Sequence, residues 1–216
     1  MLLLISYTNV IKIDIIKELW NYYSILFFSR QKGIKMSKKA LILTWESYQD
    51  HEVVYPFYRV QEEGFEVDIM ANKLGRIFGI LGTYNECTQS VFDLDDKKLF
   101  DNHMSNYDLL IIPGGVKALE YLRQQENALR FIKEWDEKKK TIACICHGAQ
   151  LLISSKITSG RDVSGYYSIK DDISNSGANY VDGPAVISNN LVSCPHYKWM
   201  GQWMKAVFEV YNSGNG

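Results

Sequence analysis

The sequence is poor in the features that would take it outside ordinary folded domains. Only four cysteines and four prolines occur in 216 residues. Cys87, Cys144, Cys146 and Cys194 form no C-x-x-C pair and no paired-cysteine metal spacing. Four cysteines in a chain this long do not make a secreted disulfide scaffold, so reduced thiols in a cytoplasm are the expectation, with no metal. Excess charge is also missing: 24 Lys plus Arg against 25 Asp plus Glu give a net charge of −1. The longest basic run is Lys138-Lys139-Lys140, which reads as a solvated helix end, and no nucleic-acid-coating surface is expected. No apolar run approaches the ~18–20 residues of a membrane span, so no membrane partner is expected. Repeats and low-complexity tracts are absent. What is present is 46% hydrophobic and 23% charged residues, enough for one domain with its own core.

Residues 1–35 differ from the rest. They are rich in Ile, Leu, Tyr and Phe, interrupted by Lys12, Asp14, Lys17 and Glu18. The order of a signal peptide is missing. Met36, followed by Ser-Lys-Lys and a strand-like run, resembles a native start. Two readings stand: a translation start placed too far upstream, or an appendage with an amphipathic helix over residues 10–28 that docks on a partner. Residues 36–216 form the domain proper.

From there strand and helix alternate. Ala40–Trp45, Phe65–Met70, Tyr107–Ile112 and Thr141–Ile145 are short apolar strands. Residues 50–63 carry Val53, Val54, Phe57 and Val60 on one helical stripe that stops at Gly64, with Pro56 predicting a bend or a short first turn. One long helix is expected from Pro113-Gly114-Gly115 to about Lys139. Val181–Cys194 reads as two strands turning at Asn189-Asn190, and 198–211 as a closing helix. The Gly-rich stretch 75–95 reads as a hairpin or arm. This alternation predicts a single-domain α/β fold, a flavodoxin-like doubly wound, mostly parallel sheet with helices on both faces.

Ligands of such sheets sit beyond the C-terminal strand ends, where two features converge. Cys144-Ile145-Cys146-His147-Gly148 leaves a buried strand and enters a helix. It has the small-x-nucleophile-x-small layout of a nucleophile elbow, with cysteine in place of serine. A thiol at a helix N-terminus is expected to have a lowered pKa. Pro113-Gly114-Gly115 ends the preceding strand, and a backbone N–H there, with that of His147, can face an oxyanion.

Those residues resemble the ThiJ/PfpI superfamily, most closely its PfpI-type branch. The resemblance runs from about Ala40 to Val210 through ALILTWESYQDHEVVYPFYRVQEEGFEV, YDLLIIPGG, ALEYLR, IACICHGAQLL, IKDDISNSGANYVD and AVISNNLVS. It implies a class I glutamine amidotransferase-like fold with Cys146 as nucleophile and His147 as its neighbour. Glu52 of HEVVYP becomes the carboxylic acid touching the sulfur, and Gly115 the oxyanion glycine. Glu120 becomes a glutamate that orients His147 from a neighbouring subunit, if one residue is inserted after Gly115. A dimer or hexamer is implied, and no cofactor. Burial against a sulfur predicts a raised Glu52 pKa. The sequence departs from many relatives at Gln49, where they carry a second acid. It departs again at Ser193-Cys194-Pro195-His196, where they carry Arg; His196 is a candidate substrate contact on the cleft rim.

The implied functions are a cysteine-dependent enzyme acting on reactive aldehydes or their protein adducts, of glyoxalase III or deglycase type. A PfpI-type peptidase using Cys146, His147 and Glu120, and a redox-sensing stress chaperone, are the alternatives. A chain started at Met36 is expected to match the full chain in melting temperature and activity; loss of folding would make residues 1–35 a packed element.

Overall fold

The structure, a computed structural model, describes residues 37–214. The readings of residues 1–35 as a mis-start or an amphipathic appendage lie outside the described residues.

A seven-stranded sheet forms the centre, in the order β10-β11-β7-β6-β1-β2-β5. Its strands are β1 (Lys38–Leu43), β2 (Phe65–Ala71), β5 (Gln89–Ser90), β6 (Leu109–Ile112), β7 (Thr141–Ile145), β10 (Val186–Ser188) and β11 (Leu191–Cys194). Only β10 runs antiparallel to its neighbour. It joins β11 in the expected hairpin, whose turn places Asn189 at φ 57°. Every residue of β6, β7 and β11 is buried, which is why these strands read as continuous apolar runs rather than alternating ones.

Helices cover both faces. On one side lie α1 (Asp50–Glu62) and α7 (Met200–Asn212), packed on each other and on β2, β7 and β11. The other layer holds α2 (Lys97–Asn106), α3 (Val116–Leu122), α4 (Glu126–Glu137), α5 (Ala149–Ser154) and α6 (Lys170–Asn175). Each layer drives a tryptophan into the core and satisfies its indole N–H on a strand carbonyl. Trp135 of α4 donates to Thr141 O and Trp203 of α7 to Val192 O, both at 3.1 Å. Each N–H that finds a partner spares the buried ring the cost of an unmade hydrogen bond.

Two expectations are corrected and one feature is new. The single helix to Lys139 is two helices, α3 and α4, broken at Arg123-Gln124-Gln125. The strand expected from Tyr107 starts at Leu109. The crossover after α5 carries a second small parallel pair, β8 (Asp162–Val163) and β9 (Asn179–Tyr180), flanking α6. No apolar periodicity announces two-residue strands.

The Gly-rich arm is a hairpin of β3 (Gly75–Phe78) and β4 (Tyr84–Cys87). Asp50 at the start of α1 clamps its loop. The carboxylate accepts from Leu81 N–H at 2.7 Å, Thr83 N–H at 2.8 Å and the Thr83 hydroxyl at 2.5 Å. Burial pushes this carboxyl up, but these hydrogen bonds more than offset it and leave its pKa below 3.8. Its stabilising contribution is therefore present above pH 3.8 and lost as pH falls through the lower folded value. Asp50→Ala is expected to lower stability by about 1–3 kcal/mol at pH 7, measured by denaturant unfolding, with the deficit shrinking toward pH 3.

Candidate active site

The chain order reverses between β1 and β6: β2 lies to one side of β1, while β6 and β7 lie to the other. The C-terminal ends of β1, β6 and β7 thus surround one crevice. The first contributes the start of α1, the second the Pro113-Gly114-Gly115 turn, the third Cys146.

Cys146 has φ 60° immediately after β7 and opens a three-residue 3-10 turn, Cys146–Gly148. A left-handed conformation in a residue with a Cβ costs about 1–3 kcal/mol, and here it turns the thiol out of the sheet. The neighbours at i−2 and i+2 must be small: a Cβ on Gly148 would lie 2.6 Å from Ile112 O and 3.1 Å from Cys144 Sγ. The elbow expected from the spacing is present. Cys146 is also the most exposed of the four free cysteines, at 7% against 4% for Cys87 and 0% for Cys144 and Cys194.

Glu52 reaches this sulfur from α1. Its Oε2 accepts the Gly114 N–H at 2.7 Å, while Oε1 has no such hydrogen-bond partner among the described residues. A Cβ on Gly114 would sit 2.6 Å from Glu52 Oε2 and 3.1 Å from Cys146 Sγ, so only glycine lets the three groups meet. Burial raises the Glu52 pKa from its usual 4.5 to about 7, against the pull of the Gly114 N–H and the Cys146 thiol. Gly115 follows at φ 110°, with Tyr48 and Gln49 backbone against the place of a side chain. Since Glu52 takes the Gly114 N–H, Gly115 supplies the remaining donor of the turn.

One expectation about the thiol fails. Burial, then the Glu52 carboxylate, push the Cys146 pKa well up; only the His147 N–H pulls it down. The helix after the elbow has six residues, too short for its dipole to outweigh desolvation in a closed crevice.

His147 is 9% exposed, and its Nδ1 lies 3.4 Å from Cys146 Sγ. Its Nε2 lies 3.3 Å from Ser168 Oγ, and the ring stacks on Tyr166 at 4.7 Å. Burial lowers its pKa from 6.5, so the imidazole is neutral at pH 7 and able to accept a proton. Tyr166 is pinned by its N–H on Cys146 O at 3.1 Å. Beyond it the rings continue outward: Tyr166 to His196 at 6.0 Å, His196 to Tyr197 at 4.0 Å, Tyr197 to His51 at 5.0 Å. His196 thus stands half-buried on the rim. His51 also borders a cleft of about 740 Å³ along α1 with Tyr58, Leu81 and Met200, which Cys146 does not line.

Glu120 stands apart. It is exposed on α3, with Oε1 3.9 Å from Arg123, and one chain does not bring it to His147. Sequence reading missed Tyr166 and Ser168; the Tyr-Tyr-Ser run before the IKDD segment was the available signal. Among the described residues no cluster of three or more His, Cys, Asp or Glu is placed to hold a metal ion. No helix there is long and apolar enough to cross a membrane.

A family model described as DJ-1/PfpI matches residues 38–210. The chain is 36% identical over 171 residues to deglycase TK1284 of Thermococcus kodakarensis, covering 77% of this chain and 98% of that protein. Among solved structures it is similar to a two-domain protein of Anabaena variabilis containing DJ-1/ThiJ/PfpI-like and ferritin-like domains. That match has a TM-score of 0.72 and 27% identity, over 80% of this chain and about half (49%) of that one. Schizosaccharomyces pombe DJ-1 matches with a TM-score of 0.71 at 20% identity, over 81% of this chain and 95% of its own, a likeness of fold alone.

Two measurements probe the Glu52–Cys146 pair. Cys146 is expected to label first with iodoacetamide in the native protein, and Glu52→Gln to move its alkylation profile to lower pH by removing the opposing carboxylate. Because Glu52 binds its proton more tightly folded than unfolded, wild-type stability falls as pH rises from about 4.5 to about 7. The same substitution is expected to flatten that decline in thermal unfolding; unchanged profiles in both would reduce Glu52 to a helix-start residue.

Proposed function

The chain belongs to the DJ-1/PfpI family, and from that premise we propose a cysteine-dependent enzyme that acts on reactive aldehydes or their protein adducts, as glyoxalase III and deglycase enzymes do. The observation that carries this reading is a single thiol that meets the buried Glu52 carboxyl at Gly114 on one side and His147 Nδ1 at 3.4 Å on the other. Both neighbours hold or release a proton at working pH, which is what addition to a carbonyl needs. A relative named as a deglycase, covered over almost its whole length, supports the same class.

With methylglyoxal, Cys146 Sγ adds to the aldehyde carbon while His147 Nδ1 takes the thiol proton. Glu52 protonates the carbonyl oxygen, and the product is a hemithioacetal. The N–H groups of Gly115 and His147 are the oxyanion donors in this reading. A proton then moves from the former aldehyde carbon to the adjacent carbonyl carbon through an enediol, with His147 or Glu52 as carrier, leaving a thioester. Water cleaves the thioester to lactate and restores the thiol. The sum is methylglyoxal plus water giving lactate; no outside oxidant or reductant enters. A thiol of raised pKa suits this sequence, because the sulfur is ionised only as its proton is taken and rests protonated between turnovers.

The family resemblance adds a carboxylate, Glu120, delivered to His147 from a neighbouring subunit of a homo-oligomer, and His196 as a rim contact for substrate. Four free, buried thiols fit a reducing, cytoplasmic setting. Peptide hydrolysis uses the same Cys146–His147 pair and is the competing reading.

Turnover of methylglyoxal and of a peptide series by wild type and Cys146→Ser separates them. Lactate formation that Cys146→Ser abolishes is expected. Cys146-dependent peptide cleavage without lactate would make the protein an amidohydrolase, and no turnover with reversible peroxide oxidation of Cys146 would leave a redox sensor. Glu120→Ala is expected to lower turnover with little loss of stability; a fully active monomer in light scattering would remove Glu120.

A further inference from the structure

We propose that Ser168 is the positioning residue of His147, fixing its tautomer from within the same chain so that Nδ1 faces Cys146 unprotonated. This inference rests on the reading of Cys146 and His147 as an acid–base pair. If His147 Nδ1 is to accept the thiol proton, it must carry its lone pair toward the sulfur 3.4 Å away. The ring proton then sits on Nε2, and the one side-chain group placed to receive it is Ser168 Oγ at 3.3 Å. Here the ring is trapped between a stack and a hydrogen bond. Tyr166 covers its face at 4.7 Å and 28°.

The turn that carries Ser168, Tyr167–Ile169, is itself anchored. Ile169 is buried, and Tyr166 before it donates its N–H to Cys146 O at 3.1 Å. The serine is therefore referenced to the backbone of the nucleophile it serves. One strand further, Ser164 N–H donates to Ser193 Oγ at 2.8 Å and ties the crossover to β11.

The choice of a neutral acceptor has a consequence. A carboxylate at Nε2 would stabilise the imidazolium and raise its pKa; a hydroxyl orients the ring without doing so. The groups around His147 agree. Cys146 lies on Nδ1 with Glu52 beyond it, Tyr166 lies on the ring face, and His196 and Tyr197 follow. Lys198 sits 5.7 Å from the Tyr167 ring. No charge contributes to the shift of His147; burial alone does. A second subunit's carboxylate would thus add charge to a ring already oriented.

The test reads Cys146 alkylation against pH, which needs no substrate and so stands apart from the identity of the reaction. Ser168→Ala is expected to slow iodoacetamide labelling of Cys146 near pH 7 by roughly twofold to tenfold, the worth of one neutral hydrogen bond. Ser168→Thr, which keeps the hydroxyl, is expected to restore the wild-type rate. Ser168→Asp is expected to move the histidine limb of the profile to higher pH. Ser168 is exposed, so all three variants are expected to keep the wild-type melting temperature. A Ser168→Ala profile that superimposes on wild type, or a Ser168→Asp profile with an unmoved limb, would overturn the assignment. A failure to turn over methylglyoxal with these alkylation shifts intact would instead overturn the aldehyde reading and leave Ser168 in place.

Discussion

The hydrogen bond from Gly114 N–H to Glu52 Oε2 ties the site together. It joins the start of α1 to the turn after β6, two segments 62 residues apart, at a point where the third segment, Cys146, is in contact with both. A buried carboxyl with one strong donor and a free second oxygen is poised: the N–H favours its ionised form, burial its protonated form. Burial is the stronger, and the N–H only limits the rise, which brings the pKa to about 7. Were Gly114 any other residue, its Cβ would occupy the space of the carboxylate, and the three segments would have to part.

The strain and burial around this bond are of one kind. Cys146 stands at a positive φ so that its sulfur leaves the sheet, and it, Glu52 and His147 are all buried. Burial raises the thiol pKa, raises that of the carboxyl and lowers that of the imidazole, so all three groups are driven toward neutrality. Among the described residues, the charge acting on the thiol comes from Glu52 and Cys144 and opposes its ionisation. The ring series Tyr166, His196, Tyr197 and His51 then leads from the trio to the surface and gives the crevice one aromatic wall.

Much of this was legible in the chain. The four apolar strands, the Asn189-Asn190 hairpin and the closing helix follow from hydrophobic periodicity and turn chemistry; burial on both faces leaves continuous apolar runs in β6 and β7, while β2 still carries Glu66 and Asp68. The break between α3 and α4 at Arg123-Gln124-Gln125 was not legible, because those residues all favour helix and carry no stop signal. The pairs β8 and β9 are two residues each, below the length at which a period can be seen. The raised Glu52 pKa follows from burial against sulfur, but the same burial acting on Cys146 was outweighed in the sequence reading by a helix dipole that a six-residue helix is too short to supply.

By itself the sequence determined the elbow at Cys146 and its setting. Small residues flanking Cys146, a strand before it and a helix after it point to an elbow, and Pro-Gly-Gly after an apolar run points to a turn at the strand's end. The tertiary structure alone decided the partners. Which groups stand at hydrogen-bond distance from His147 depends on how the crossover after α5 folds back, and that crossover is held by Ser164 on Ser193 and Tyr166 on Cys146 rather than by any local pattern. Ser168 therefore reaches the imidazole and Glu120 of the same chain does not, although nothing in the order of residues distinguishes a serine that will meet a ring from one that will meet water.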